Sequence, residues 1–488
     1  MLQIHNTLTN LKEEFKASSE EVKIYVCGPT VYSFIHIGNG RPLIFFDTVR
    51  KYLEYSGHRV KYVQNFTDID DKIIDAAKKE NLNFQEISNK FIDEYYLDAD
   101  YLNIKRADFS PRATEHIADM KQMIGGLMEK GYAHKMDDGI YFNVSKYTGY
   151  GNLSNQKLGE LRSKGCDIDF ALWKFESDPS ISWDAPWGRG RPGWHIECSA
   201  MIHAIFKGGI DIHGGGQDLC FPHHENERAQ SVAFSGEPLA KYWVHNGLIR
   251  MKDGKMSKSK GNIIKVRDLH NIYSGGVIRL FMLSTHYRKP IDFSMKGLEG
   301  ASKAMAKIDG FINKTEALRS KIVSGSIDIG DGLLQMEKKF TEEMDKDLNT
   351  PGAIAAIFEM INNISPILGE VDQQSLKQLD KSLKSLLKVL GIENTKSKIC
   401  NSSHVAKNRK LVLDKIIEKS LASGIAMDEK VNFKMATEEV AIEFLIKVRE
   451  EARLHKKWEL ADGIRKDLDS IGIKLEDGED GTSWKIEE

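Results

Sequence analysis

The run from Val22 to Phe66 limits the fold more than any other part of the chain. Val22 to Val26 is a short apolar stretch ended by Cys27-Gly28-Pro29, the pattern of a strand entering a tight loop. From Pro42 the apolar residues Leu43, Ile44, Phe46, Val49 and Leu53 recur at helical spacing, and Ser56-Gly57 stops the helix. Arg59 to Phe66 then reads as a second strand. Strand, loop, helix, strand is a βαβ unit, so the expected core is an α/β fold with a parallel sheet that binds ligands at the carboxyl ends of its strands.

Between about Ser110 and Gly193 this pattern breaks into helices, Gly-rich turns and the stretch Trp187-Gly-Arg-Gly-Arg-Pro-Gly193, which predicts an insertion into the core. Gly209-Ile-Asp-Ile-His213 resumes the sheet as a strand ending in Gly214-Gly215-Gly216, with a helix beginning near His223. Asp70 and Asp71 are expected in the first turn of a helix capped near Thr67 or Asp68. After about Gly300 the chain becomes helical, and Leu376, Leu379, Leu383, Leu386, Leu387 and Leu390 trace one apolar face of bundle type. A polar stretch from Glu393 to Asn408 reads as a linker, followed by helices between Lys410 and Ser470 and a hairpin turning at Asp477 to Gly481. The expected division is 1–109 and 194–270 for the two halves of the core, 110–193 for the insertion, 271–320 for a connecting helical segment, 321–400 for an α-helical bundle and 401–488 for a small C-terminal helical and hairpin domain.

Composition removes whole classes of function. With 488 residues the chain is long enough for about three domains, each with its own core. Its 69 basic and 71 acidic residues leave a net charge of −2, so a generally basic nucleic-acid coat is excluded. Cys27, Cys166, Cys198, Cys220 and Cys400 are odd in number and scattered, which suits a reducing compartment and a cytoplasmic location. The opening Met-Leu-Gln-Ile-His-Asn is no charged-then-apolar leader, and no stretch approaches the ~18 apolar residues of a membrane span.

Three constellations could carry chemistry. His36-Ile-Gly38-Asn39 lies between the first strand's loop and the helix, where backbone N–H groups and the helix dipole favour an anion and glycine lets a phosphate approach. A helix-capping loop with an incidental histidine is the plainer account of four residues taken alone. Lys255-Met-Ser-Lys258-Ser259 presents two lysines and two hydroxyls between Gly254 and Gly261. Seven basic against two acidic residues from Arg250 to Asp268 give a local excess that suits charge developing on a polyphosphate, although most lysine loops are merely solvated. The third set is Cys27, Cys198, His223 and Glu227, all acceptable zinc ligands, with His223 and Glu227 on one helical face. Nothing in the spacing brings Cys27 and Cys198 together, so two buried thiols and a helix-surface pair account for them more simply. His224 and Glu225 compete as ligands.

The three constellations occur together and in this order, and with them the chain resembles the cysteinyl-tRNA synthetase family of class I aminoacyl-tRNA synthetases. The likeness extends to Tyr25-Val-Cys27-Gly-Pro-Thr-Val-Tyr32, Phe66-Thr67-Asp68-Ile-Asp70-Asp71-Lys72, Gly193-Trp194-His-Ile-Glu-Cys198-Ser-Ala-Met201, Asp211-Ile-His-Gly-Gly-Gly-Gln-Asp218 and Phe221-Pro-His-His-Glu-Asn-Glu227. Lys346-Asp-Leu-Asn-Thr-Pro351 and Gly481-Thr-Ser-Trp484 carry it through nearly the whole chain. One departure is visible: Asn39 stands where the first class I signature ordinarily has a second histidine, and an amide can donate to a phosphate oxygen but carries no charge.

The resemblance implies a Rossmann-type core and a two-step reaction. Cysteine's carboxylate attacks the α-phosphate of ATP, releasing pyrophosphate, and the terminal ribose of tRNA(Cys) then takes the acyl group. It implies that His36, Gly38, Asn39, Lys255 and Lys258 handle ATP and its Mg2+, with catalysis carried by His36, Asn39 and the two lysines. One zinc on Cys27, Cys198, His223 and Glu227 would accept the substrate thiolate as a further ligand. Thr67 and Trp194 look like pocket residues by the same resemblance, with Asp218 for the substrate amine; a core aromatic is the alternative for Trp194. The partners implied are ATP, L-cysteine and tRNA(Cys), for a monomer with no membrane partner.

Three other readings compete. A cysteine-activating ligase that acylates a small amine would share every active-site residue and differ only in the C-terminal region. There Arg453, Lys456, Lys457, Trp458, Arg465 and Lys466 could contact phosphates and bases, although residues 401–488 hold 16 basic and 19 acidic residues. A zinc hydrolase using His223, His224 and Glu225 leaves the lysine loop unexplained. An inactive RNA-binding paralogue predicts decay of signatures that are present.

Overall fold

The computed structural model describes residues 1–157, 159, 168–251, 254–255, 264–270, 272–320, 325–392, 413, 416–417, 438–469, 473–478 and 481–486. Lys258 and Ser259 of the lysine loop, Cys166, Cys400 and the linker expected over Glu393 to Asn408 lie outside them. The chain forms two compact units, Met1–Glu393 and Asn394–Glu488.

The first unit opens with a hairpin of β1 (Gln3–Asn6) and β2 (Leu11–Glu14), then β3 (Glu21–Val26), α1 (Ile37–Tyr55) and β4 (Arg59–Gln64). Helices α2 (Asp71–Glu80), α3 (Phe84–Tyr101) and α4 (Ile117–Glu129) lead to strands β5 (Ala133–Met136), β6 (Gly139–Phe142), β7 (Phe170–Phe175) and β8 (Gly190–Pro192). Helix α5 (Trp194–Phe206), strand β9 (Ile210–Gly216), helix α6 (Glu225–Ser235) and strand β10 (Ala240–Asn246) return to the first sheet. That sheet has the order β10-β9-β3-β4 with every pair parallel. The chain winds from β3 to β4 on one side and from β9 to β10 on the other. The carboxyl ends of β3 and β9 therefore flank the switch point, where open sheets of this kind bind ligands.

Four expectations are corrected here. The helix expected from Pro42 starts at Ile37, capped by His36, with Pro42 inside it. Proline there forgoes the bond to the Gly38 carbonyl, which burial of Leu43, Ile44, Phe46, Val49 and Leu53 offsets. The glycines expected to end the strand at His213 continue it: Gly214, Gly215 and Gly216 pair with Val244, His245 and Asn246. A Cβ on Gly214 would come within 2.3 Å of the Phe46 ring, so glycine there is a packing requirement and not a turn signal. The inserted segment holds a four-stranded antiparallel sheet, β5-β6-β7-β8, whose three- to six-residue strands are too short to show alternation. The helix after Phe66 is capped by Asp70, whose side chain accepts from the Lys72 N–H; Asp68 instead accepts from Thr114.

The remainder of the first unit comprises β11 (Ile249–Met251), β12 (Gly254–Lys255), α7 (Gly275–Leu283), β13 (Ile291–Phe293) and the helices α8 (Met295–Arg319), α9 (Gly330–Asp345), α10 (Thr350–Ile364) and α11 (Gln373–Leu390). The six leucines of the expected face lie on α11, all buried. In the second unit, α12 (Glu438–Leu454) and α13 (Trp458–Asp469) pack with a hairpin of β14 (Ile473–Gly478) and β15 (Gly481–Ile486), as the turn residues predicted.

Candidate active site and metal centre

Cys27 follows directly on β3, and its loop is shaped by Gly28. A Cβ there would lie 1.6 Å from the Asn65 carbonyl oxygen, while the Gly28 N–H donates to the Asn65 side chain at 2.9 Å. Gly193 starts α5 under a similar restriction, since a Cβ would sit 2.0 Å from the Ala171 carbonyl oxygen. Its first turns bring Trp194, Glu197 and Cys198 to the carboxyl end of the sheet, and β9 leads into the turn and helix that carry His223 and Glu227.

Strand order thus unites what spacing alone did not. Cys27 Sγ lies 3.6 Å from Cys198 Sγ and 3.4 Å from Glu227 Oε1, and His223 Nε2 lies 3.0 Å from the same carboxylate oxygen. All four donor atoms fall within 4.8 Å of one another. A tetrahedral zinc site, with bonds of about 2.3 Å to sulfur and about 2.0 Å to nitrogen or oxygen, has donor-to-donor edges of roughly 3.3–3.8 Å. The donor set and its spacing fit such an ion with shifts of a few tenths of an ångström.

A second group, Cys27, His213, His224 and Glu227, meets the same distance limit. In it His213 Nε2 pairs with Glu227 Oε2 at 2.8 Å, and His224 Nε2 lies 3.3 Å from Cys27 Sγ. His224 Nδ1 meets His245 Nε2 at 2.8 Å, and His245 Nδ1 meets Thr7 Oγ1 at 2.8 Å. These partners orient the carboxylate and the sulfur, as outer residues around a metal do. Glu225, the other competing ligand, accepts from the Ser154 N–H and hydroxyl instead.

Burial, reinforced by the neighbouring Cys198 and Glu227, pushes the Cys27 thiol well above its ordinary range, and burial likewise raises Cys198. Burial also tends to raise the Glu227 carboxyl, but His213 and His223 outweigh it and hold the group below its usual value. Burial lowers His223 to about 3, despite Glu227 beside it. A neutral imidazole and an ionised carboxylate are the forms that bind a cation, whereas the thiols must lose protons to it.

The other expected residues are placed unevenly. Trp194 is 40% exposed and stacks on His223, ring centroids 4.2 Å apart and planes 19° apart, so it is not a core aromatic. The Thr67 hydroxyl donates to Glu197 Oε2 at 2.7 Å, and both residues are buried. Asp218 is exposed in the turn after β9. His36 and Asn39 form a reciprocal cap, with the Asn39 N–H donating to His36 Nδ1 at 3.3 Å and the His36 N–H to Asn39 Oδ1 at 3.2 Å. Capping and an anion site share this geometry. The Lys255 backbone lies in β12 opposite Arg250. Sequence reasoning assigned no role to His213, His245, Asn65 or Glu197, although three of them stand inside or beside the quoted blocks.

The tRNA synthetases class I (C) catalytic domain family model matches residues 14–303, and a DALR domain model matches residues 339–394. Mycobacterium tuberculosis methionyl-tRNA synthetase in complex with methionyl-adenylate shares the fold with a TM-score of 0.58 at 15% identity, over 76% of this chain and 90% of that one. Agrobacterium radiobacter K84 agnB2 LeuRS in its ternary complex aligns with a TM-score of 0.58 at 12% identity, over 78% and 84%. The fold is that of a class I aminoacyl-tRNA synthetase. A cysteine–tRNA ligase of Carboxydothermus hydrogenoformans is 43% identical over 99% of this chain and 100% of its own, and one of Fusobacterium nucleatum subsp. nucleatum is 42% identical over the full length of both. Within that class, the chain belongs to the cysteine–tRNA ligase family.

Proposed function

We propose that this enzyme activates L-cysteine with ATP and transfers the cysteinyl group to tRNA(Cys), working as a cytoplasmic monomer. The observation that carries the reading is the meeting of Cys27, Cys198, His223 and Glu227 at the switch point of the sheet. These four residues hold one zinc, and Mg2+ accompanies ATP. Zinc lowers the pKa of a bound thiol and prefers sulfur to an alcohol oxygen, so it separates cysteine from serine. Trp194 forms one wall of the pocket through its stack on His223. Thr67 holds Glu197 beneath the site. Asp218, exposed near the end of β9, faces the substrate amine.

His36, Gly38 and Asn39 receive the phosphates at the start of α1, and Lys255 and Lys258 neutralise charge on the departing pyrophosphate. Residues 1–109 and 194–270 form the catalytic core around the inserted segment 110–193, with 271–320 connecting to the bundle 321–400 and 401–488 binding tRNA. Trp458 is 56% exposed and available for base stacking. Arg453 and Arg465 are partly engaged with Asp477, at 3.3 and 3.6 Å, so Lys456 and Lys466 are the better phosphate contacts. The full-length likeness to cysteine–tRNA ligases favours tRNA over a small amine as acceptor.

ATP–pyrophosphate exchange tests the activation step. Cysteine should support it and serine should not, and removal of the metal should abolish the preference. Equal exchange with both amino acids contradicts the proposed selection at the metal.

A further inference from the structure

The chain that follows the lysine loop crosses the segment that leads to His36. The Val266 N–H donates to the Ile35 carbonyl at 3.1 Å and the Ile37 N–H to the Ile264 carbonyl at 3.0 Å, with His36 and Lys265 facing each other in an antiparallel bridge. Two backbone bonds hold a crossing only weakly. Arg267, in the short turn Val266–Leu269, reinforces it through its side chain. Its guanidinium carbon lies 3.5 Å from the centre of the Phe34 ring, and Nη2 lies 2.6 Å from Glu94 Oε2 and 3.6 Å from Asp98 Oδ1, both on α3. Phe34 packs edge-on against Phe91 of the same helix, ring centroids 5.3 Å apart. Asp98 is buried and also meets His270 Nε2 at 3.4 Å. One guanidinium therefore joins three segments, using its flat face on the aromatic ring and its edge on the carboxylates, a combination that lysine lacks.

We propose that Arg267 is a positioning residue for adenylate formation: by joining Phe34 to Glu94 and Asp98, it fixes the chain leaving the lysine loop against the His36 segment. The inference rests on the reading of this chain as a cysteine-activating synthetase. Both crossing segments adjoin the residues assigned to ATP phosphates, and pyrophosphate departs in the first half-reaction only. The proposed metal ligands follow β3 or lie on α5 and in the turn and helix after β9, so they do not depend on the crossing. An error of about 1 Å in such a placement can cost on the order of 10²-fold in rate.

The test compares the two half-reactions in the intact enzyme. Arg267→Met should lower the turnover of cysteine-dependent ATP–pyrophosphate exchange tenfold or more, with metal content and the KM for cysteine unchanged. Single-turnover transfer from preformed cysteinyl-adenylate to tRNA should stay within twofold of the parent. Arg267→Lys should lose part of the exchange rate, and Phe34→Leu should add little further loss in the Arg267→Met background. Normal exchange in Arg267→Met, or equal slowing of both half-reactions, overturns the proposal. Should Arg267→Met fail to fold, Arg267→Lys and Phe34→Leu decide the matter, and normal exchange in both overturns it. A parent enzyme with no cysteine-dependent exchange refutes the functional reading itself, a distinguishable result.

Discussion

Cys198 shows what a single residue type can and cannot reveal. Two thiols, an imidazole and a carboxylate are recognisable as ligands in the sequence, yet Cys27 and Cys198 are 171 positions apart and 3.6 Å apart in space. Only the order of the strands closes that gap. His213 escaped notice because a histidine inside a strand beside three glycines has no pattern of its own; its role depends on Glu227, 2.8 Å away. Cys198→Ser should lower the metal content and raise the KM for cysteine, because a hydroxyl replaces a thiolate ligand. Elemental analysis and exchange kinetics check this, and an unchanged metal stoichiometry contradicts it. Asp98 offers a test by pH. Burial, opposed by Arg267, raises its carboxyl from 3.8 to about 7. The neutral form is thus favoured in the folded state, so this stabilisation is fully present below about pH 4 and is lost as pH rises through 7. Asp98→Asn stays neutral and should gain stability over the parent between pH 4 and pH 8, by at most about 4 kcal/mol. A difference in Tm that does not change with pH contradicts this.

Among the elements, those with long hydrophobic periodicity were the most legible. The six leucines of α11 recur over four turns, and all are buried in the first unit's core. Leu383→Ala should therefore destabilise that unit by roughly 2–5 kcal/mol, read from its thermal or urea transition. A change below 1 kcal/mol would mean that the face is not packed as described. The start of α1 was misplaced because Pro42 reads as a first-turn residue, whereas the cap is set by His36 and Asn39. Strands β5 to β8 were missed for a different reason. Segments of three to six residues carry too few side chains for a period of two to stand out, and their antiparallel partners supply the missing information.

At the scale of the whole molecule, the two compact units have separate hydrophobic clusters: two in the first unit, drawn from residues up to Ile392, and one in the second, from Leu413 to Leu475. The polar stretch from Glu393 to Asn408 reads as a linker in the sequence, whereas the composition of residues 401–488 gives no sign of a nucleic-acid partner. A chain ending near Lys407 retains every residue of the first unit's clusters. It should stay folded and keep cysteine-dependent exchange while losing most charging of tRNA, chiefly through weaker tRNA affinity that falls further with salt. Undiminished charging by the shortened chain would place tRNA recognition elsewhere. The most direct test of the central claim is acylation of tRNA(Cys) with labelled cysteine by the intact enzyme and ATP. The account predicts cysteinyl-tRNA formation dependent on ATP. Adenylate formation without tRNA charging, accompanied by acylation of a small amine, would contradict it.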